Sequence, residues 1–287
     1  MLNGGLIGIK EAMESLKPME QKVAQYILEH PETVVNASVQ KVAELAGVSE
    51  ATIIRLARSL HLKGFQELKL RIAADLAKAS IPADRTSYQE IQIDGTVQDL
   101  IQSISHNNML SIQDTLTVLS PKDVERAIDC LSEARRVYFF GVGASAVIAQ
   151  DFKQKLSRIN RWCEAATDFD SQATLAANMT EEDVAFGISY SGQTENIIQS
   201  LEIAKATGAT VISLTKFGNN PVAETADIRL FTSSLEQSIR SGAMASRIAQ
   251  LNVIDILYVG IASRTYEESI QALEKTRKAV SGSKRNG

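Results

Sequence analysis

The chain has 287 residues, 44% of them hydrophobic, and a formal net charge of −4, which is enough apolar material for two modest domains. No apolar run approaches the length of a membrane span, and residues 1–8 are too short for a signal peptide before Lys10, Glu11 and Glu14. An acidic whole argues against general polyanion binding, and Cys130 and Cys163, without metal-ligand spacing, read as ordinary thiols of a reducing cytoplasm.

Residues 1–79 read as nearly all helix. Leu6, Ile9, Met13 and Leu16 recur at helical spacing, and Pro18 suits a first turn ahead of Val23, Ala24, Ile27 and Leu28. Pro31 stops that helix and can start a short one. Ser38 is an N-cap for a helix carrying Val39, Val42, Ala43 and Leu45, which Gly47 ends; Ser49 caps the next helix, 50–60. After Gly64, the residues Phe65, Leu68, Ile72 and Leu76 give one more.

Helix, short Gly-containing turn, helix over 39–60 is the form of a helix-turn-helix. In its second helix Ile53, Ile54, Leu56, Ala57 and Leu60 are expected inward, with Thr52, Arg55 and Ser59 outward. Between residues 41 and 71 six Lys or Arg stand against three Glu, a local basic excess suited to DNA phosphates. The expected DNA-contacting set is Ser49, Glu50, Ala51, Thr52, Arg55, Arg58, Ser59 and Lys63. A solvated helical hairpin would explain the charges but not the capped turn.

Residues 80–96 lose the periodicity and read as a connection. A helix over 97–119, with Leu100, Ile101, Ile104, Leu110, Ile112 and Leu116, leads from it, and Pro121 restarts a helix to Leu131. The expected organisation is 1–79, then a linker and connecting helix over 80–120, then a domain over 121–280. From Arg136 strands near 136–140, 161–165, 183–188, 209–214 and 227–231 alternate with helices, which predicts a parallel sheet covered on both faces. A last long helix spans about 240–263, before a frayed tail.

Two strand–helix turns carry the chemistry. The apolar strand Val184 to Ile188 ends in Ser189, Tyr190, Ser191, Gly192, Gln193 and Thr194, and a helix follows through Ile197, Leu201 and Ala204. Likewise the strand ending at Phe140 runs through Gly141, Val142, Gly143, Ala144 and Ser145 into a helix with Ile148, Phe152 and Leu156. Helix N–H groups, the positive dipole end and hydroxyl donors make such a turn an anion site. One such turn alone could be mere capping; two in one parallel sheet converge outside the strands' carboxyl ends. A dinucleotide fingerprint fails, because Ala146 stands where the third glycine belongs.

GVGAS followed by SYSGQTEN resembles the sugar isomerase (SIS) domain, which binds phosphosugars. With AELAGVSEATIIRLARSL and KGFQELK ahead of it, the chain resembles the RpiR family of bacterial transcriptional regulators. That resemblance implies an all-α helix-turn-helix N-terminal domain plus an α/β SIS domain with a five-stranded parallel sheet flanked by helices. It also implies binding to a double-stranded DNA operator, control by a phosphorylated sugar, a homodimer or higher homo-oligomer, and no membrane association. Gly143, Ser145, Ser189, Ser191 and Thr194 would face the sugar phosphate, with the backbone N–H groups near Gly192 and Gln193. Among effectors, N-acetylmuramic acid 6-phosphate is the first expectation, then other amino-sugar or hexose phosphates.

The alternative is a phosphosugar isomerase or lyase, which needs a base beside a carbonyl. His30, His61 and His106 read as packing or surface residues, leaving Glu195, favoured at a helix start by the dipole alone, and Glu236. SGAMASR resembles a segment that a catalytic Glu precedes in glucosamine-phosphate-forming relatives; here Arg240 holds that place and suits binding an acid. No catalytic residue, metal or cofactor is assigned.

Overall fold

The computed structural model describes residues 5–60, 62–78, 96–233 and 243–282. The chain divides into two compact units, the first comprising residues 1–120, 216–220 and 231–246, the second 121–215, 221–230 and 247–287.

In the first unit α1 spans Gly5–Ala12, α2 Pro18–Glu29, α3 Pro31–Asn36, α4 Val39–Ala46, α5 Glu50–Ser59, α6 Phe65–Lys78 and α7 Val97–Val118. Pro18 and Pro31 occupy first-turn positions, where a missing N–H costs nothing. Ile9, Val23, Ile27, Val42, Ile53, Leu56, Leu68 and Ile72 are fully buried, as α1, α2, α4, α5 and α6 turn their apolar stripes inward. Gly47 closes α4 at φ 62°, a left-handed conformation that turns the chain towards α5. The Ser49 hydroxyl caps α5 by accepting from the Thr52 N–H. Ser49→Ala should lower the thermal stability of this unit by about 1 kcal/mol, read from the unfolding midpoint.

One inward–outward expectation is corrected. On α5 Ile54 is 38% exposed, whereas Thr52 is 3% exposed because its hydroxyl is held by neighbours. On α7 the apolar residues do not mark the buried side. Val97, Leu100, Ile101, Met109 and Leu116 are exposed, and Ser111, Asp114, Thr115 and Val118 are buried. Part of that polar side finds partners: the Thr115 hydroxyl donates to the Ser233 carbonyl and accepts from its N–H, each at 3.1 Å, whereas the buried Ser111 hydroxyl has none among the described residues. A capping box between Thr96 and Asp99 starts this helix, and their hydrogen bonds hold the Asp99 carboxyl below its ordinary range.

From α8, Pro121–Glu133, the chain alternates: β1 Arg136–Phe140, α9 Ala144–Arg158, β2 Cys163–Ala166, α10 Phe169–Ala177, β3 Asp183–Ser189 and α11 Glu195–Ala206. There follow β4 Thr210–Lys216, α12 Pro221–Thr225, β5 Ile228–Thr232, α13 Met244–Arg264 and α14 Tyr266–Gly282. The five strands form one parallel sheet in the order β2-β1-β3-β4-β5, with Phe140 opposite Gly187 across β1 and β3. Strand order therefore reverses between β1 and β3. On one face Tyr138, Phe140, Ala185 and Val211 pack against Leu201 and Ile197 of α11. On the other Phe139, Phe152 and Phe186 meet with ring centroids 4.8–5.8 Å apart.

Cys130 and Cys163 are free thiols, both pushed up by burial. The 21-residue α13 reaches the length and mean hydropathy, 1.2, of a membrane span, which corrects the expectation that no run does; its Ala249, Val253, Ile254, Leu257 and Ile261 are fully buried, so it serves as a core helix. Helix α14 was not foreseen, because its sequence is dominated by polar and charged residues with few apolar anchors.

Candidate functional sites

The helix-turn-helix surface is built on α5. Ala51, Ile54, Arg55 and Arg58 lie one helical turn apart along a single exposed face, with Glu50 beside them. Thr52 serves this face from beneath. Its hydroxyl lies 2.9 Å from that of Ser49 and accepts from the Arg55 guanidinium at 3.0 Å. Glu20 on α2 accepts from the Ser59 hydroxyl at 3.1 Å and lies 4.0 Å from the Arg55 Nε. Ser59 is thus half-buried rather than free to reach outward.

The charge count narrows in the same way. Lys41 pairs with Glu44 at 2.9 Å, Lys69 donates to the Ala37 carbonyl at 2.8 Å, and Arg71 pairs with Glu67 at 2.5 Å. Among the described residues Arg58 and the Lys63 ammonium have no such partner and are exposed. Replacing either by Ala should lower the salt dependence of DNA binding by about one phosphate contact, read as the slope of log affinity against log salt.

The second candidate site lies where the strand order reverses. In a doubly wound sheet of this order the crevice between β1 and β3 is the ligand position. Gly141–Ser145 and Ser189–Thr194 follow those adjacent strands and emerge at the same end of the sheet. Ser38, Ser49, Thr96 and Asp168 cap α4, α5, α7 and α10 by accepting from their amides, whereas α2 and α3 start on Pro18 and Pro31 without a side-chain cap. At the starts of α9 and α11, Gly143 and Thr194 provide no such bond. Those two helix starts keep amide donors and a positive dipole end for an anion.

Hydroxyls line the second turn. Ser189 Oγ lies 2.8 Å from Thr194 Oγ1 and accepts from the Gly192 N–H at 3.2 Å, while Ser191 Oγ accepts from the Gln193 N–H at 3.2 Å. Gly192 stands at φ 66°, which folds the turn so tightly that a side chain there would be strained. Its carbonyl accepts from the Val222 N–H at the start of α12, 3.1 Å away. Ser189 is buried and Ser191 and Gln193 exposed, so the turn offers a rigid base and an open rim; Ser145 is half-buried and Gly143 exposed at the start of α9. Arg240 and Glu236 lie outside the described residues, as does His61. Glu195 is exposed and accepts from the Gln199 amide at 2.9 Å, His30 stacks on Tyr26, and His106 is exposed.

One supporting residue was missed. Gln172 on α10 is fully buried and its amide donates to the Gly141 carbonyl at 3.2 Å and the Ala166 carbonyl at 2.9 Å. Its carbonyl accepts from Ser200 of α11 at 3.3 Å. It thereby ties the first turn to the helix that follows the second. A Gln in this short helix signals such a hub only once its partners are known. Gly141 is equally constrained: a Cβ there would lie 2.8 Å from the Ser145 carbonyl oxygen. Gly141→Ala should therefore displace this turn and abolish phosphosugar binding, checked by calorimetric titration. A cleft of about 520 Å³ beside the end of β2 carries Glu164, Asp168 and Asp170, the wrong sign for a phosphate. Among the described residues no cluster of three His, Cys, Asp or Glu side chains could hold a metal ion.

Known families match both parts of the chain. Residues 3–79 match the model of the helix-turn-helix domain, rpiR family, and residues 130–260 match that of the SIS domain. An uncharacterized HTH-type transcriptional regulator of Caldanaerobacter subterraneus is 46% identical over 97% of each chain. YbbH of Bacillus subtilis, described in the same words, is 41% identical over 98% of each. Among solved structures, the Vibrio vulnificus NanR protein complexed with ManNAc-6P aligns over 99% of this chain and 100% of its own, at 25% identity and a TM-score of 0.62.

Proposed function

The chain belongs to the RpiR family of helix-turn-helix transcriptional regulators with an SIS domain, and from that premise we propose that α5 reads an operator whose occupancy an N-acetylated amino-sugar 6-phosphate controls. The observation that carries the effector half is the pair of helix starts without side-chain caps, set beside each other at the β1–β3 reversal and lined by Ser145, Ser189, Ser191 and Thr194. A phosphate monoester brings the charge and acceptor oxygens that suit two positive dipole ends and their hydroxyls. N-acetylmuramic acid 6-phosphate is the first candidate; the ManNAc-6P bound by the Vibrio vulnificus relative supports the same chemical class.

On the DNA side Ala51, Ile54 and Arg55 approach base edges and Arg58 and Lys63 approach phosphates. Tight binding by so small a reader takes two half-sites, so the regulator acts as a homodimer or higher oligomer on a nearly palindromic operator. The relatives' names favour regulation over catalysis. Thermal shift against a panel of phosphosugars and their unphosphorylated parents tests the effector class: stabilisation by N-acetylated amino-sugar phosphates alone is expected. Equal stabilisation by an unphosphorylated sugar would overturn it.

A further inference from the structure

Glu11, near the end of α1, is only 8% exposed. Its Oε1 accepts from the Ser233 hydroxyl at 3.0 Å, whereas among the described residues its Oε2 has no hydrogen-bond donor within 3.5 Å. The Lys216 ammonium at the end of β4 forms a loose ion pair with Oε2 at 3.6 Å, longer than a hydrogen bond. From α7 comes a second buried carboxylate, Asp114, whose charge acts on Glu11. Its neighbour Thr115 holds the backbone of Ser233 from the other side. The other carboxylates on α2, α6 and α7 are engaged elsewhere: Asp75 accepts from the Leu6 N–H at 2.8 Å, Glu20 from Ser59, Glu29 from Gln25 and Asp99 from the Thr96 N–H, while Glu67 pairs with Arg71. All of these residues belong to the first unit.

A neutral carboxyl fits this place better than a charged one. Ionised, it would sit buried with one loosely paired cation, one hydroxyl and a like charge nearby, too little to replace water. Burial accordingly pushes the carboxyl up to about 7, against the pull of Lys216 and the Ser233 hydroxyl and with Asp114 adding to the rise.

We propose that Glu11 is a proton-controlled fastener. With its carboxyl neutral, α1 is held on α7 and on the ends of β4 and β5; when the proton leaves to solvent, that attachment loosens. The inference is independent of the sugar-phosphate reading. Its sign is fixed by linkage: the unfolded carboxyl titrates near its ordinary value of 4.5 and the folded one near 7, so the stabilisation is complete below the first value and lost as pH rises through the second.

The test compares urea unfolding of the parent and of Glu11→Gln between pH 5.5 and 8.5, since Gln keeps the shape and the acceptor for Ser233 but cannot ionise. Histidines and other groups act equally in both proteins. The parent's unfolding constant should rise over this range by roughly thirtyfold more than the variant's, a ratio that follows from the two carboxyl values above. Parallel profiles would overturn the proposal. Should the variant fail to fold, the carboxyl carbon signals of selectively labelled parent protein decide: a glutamate titrating near 7 supports the fastener, and every glutamate titrating in the ordinary range overturns it.

Discussion

Replacing Ser189 and Ser191 together by Ala should weaken phosphosugar binding by about 3–6 kcal/mol and leave operator affinity unchanged. Each hydroxyl offers a hydrogen bond to a charged oxygen, worth roughly 1.5–3 kcal/mol. Together they correspond to a loss of between about a hundredfold and ten-thousandfold. Ser189 also accepts from the Gly192 N–H and fixes Thr194, so its removal loosens the turn that Gly192 bends. Calorimetric titration with the phosphosugar reads the loss, and labelled operator reads the unchanged DNA affinity. A double variant that binds the effector like the parent would show that the phosphate is held elsewhere.

Arg55→Ala should cost roughly 1–3 kcal/mol of operator affinity, with helical content intact by circular dichroism. Its guanidinium is presented by Thr52 at 3.0 Å and steadied by Glu20, so it reaches outward from a fixed base rather than from a loose side chain. Thr52→Val removes that presentation without touching the exposed face. It should lose part of the same affinity, and in the Arg55→Ala background it should lose little more, because the two residues act as one device. Additive losses in the double variant would separate Thr52 from Arg55.

Much of this arrangement was legible in the sequence because it rests on local rules. Apolar periodicity located α1–α6, and Ser38, Gly47 and Ser49 set the helix-turn-helix boundaries through caps with distinctive chemistry. Five short apolar runs separated by helical patterns gave the sheet, with edges off by one or two residues where strands taper. What stayed hidden depends on partners far along the chain. Periodicity placed Ile54 inside and Thr52 outside, because it cannot see that the Thr52 hydroxyl has Ser49 and Arg55 to bond. The buried polar side of α7 needs Ser233, 118 residues away in sequence, and no local pattern announces it. Gln172 is hidden for the same reason: its three partners sit on β1, β2 and α11 or at their ends. Basic residues overstate the DNA surface, since Lys41, Lys69 and Arg71 are spent on neighbouring groups.

The pairing of a DNA-reading helix with a phosphate cradle has meaning only if the two are coupled. An effector changes operator affinity by no more than its preference for one arrangement of the protein, typically about 1–3 kcal/mol, or 5- to 150-fold. The measurement that tests this most directly is fluorescence anisotropy of labelled operator, selected from random DNA by the full-length protein, titrated with and without N-acetylmuramic acid 6-phosphate or ManNAc-6P. At least one of these phosphosugars should shift the operator dissociation constant within that range, the parent sugars should not, and the shift should vanish in the Ser189→Ala, Ser191→Ala double variant. Superimposable isotherms under every phosphosugar, or no selected DNA at all, would contradict the account.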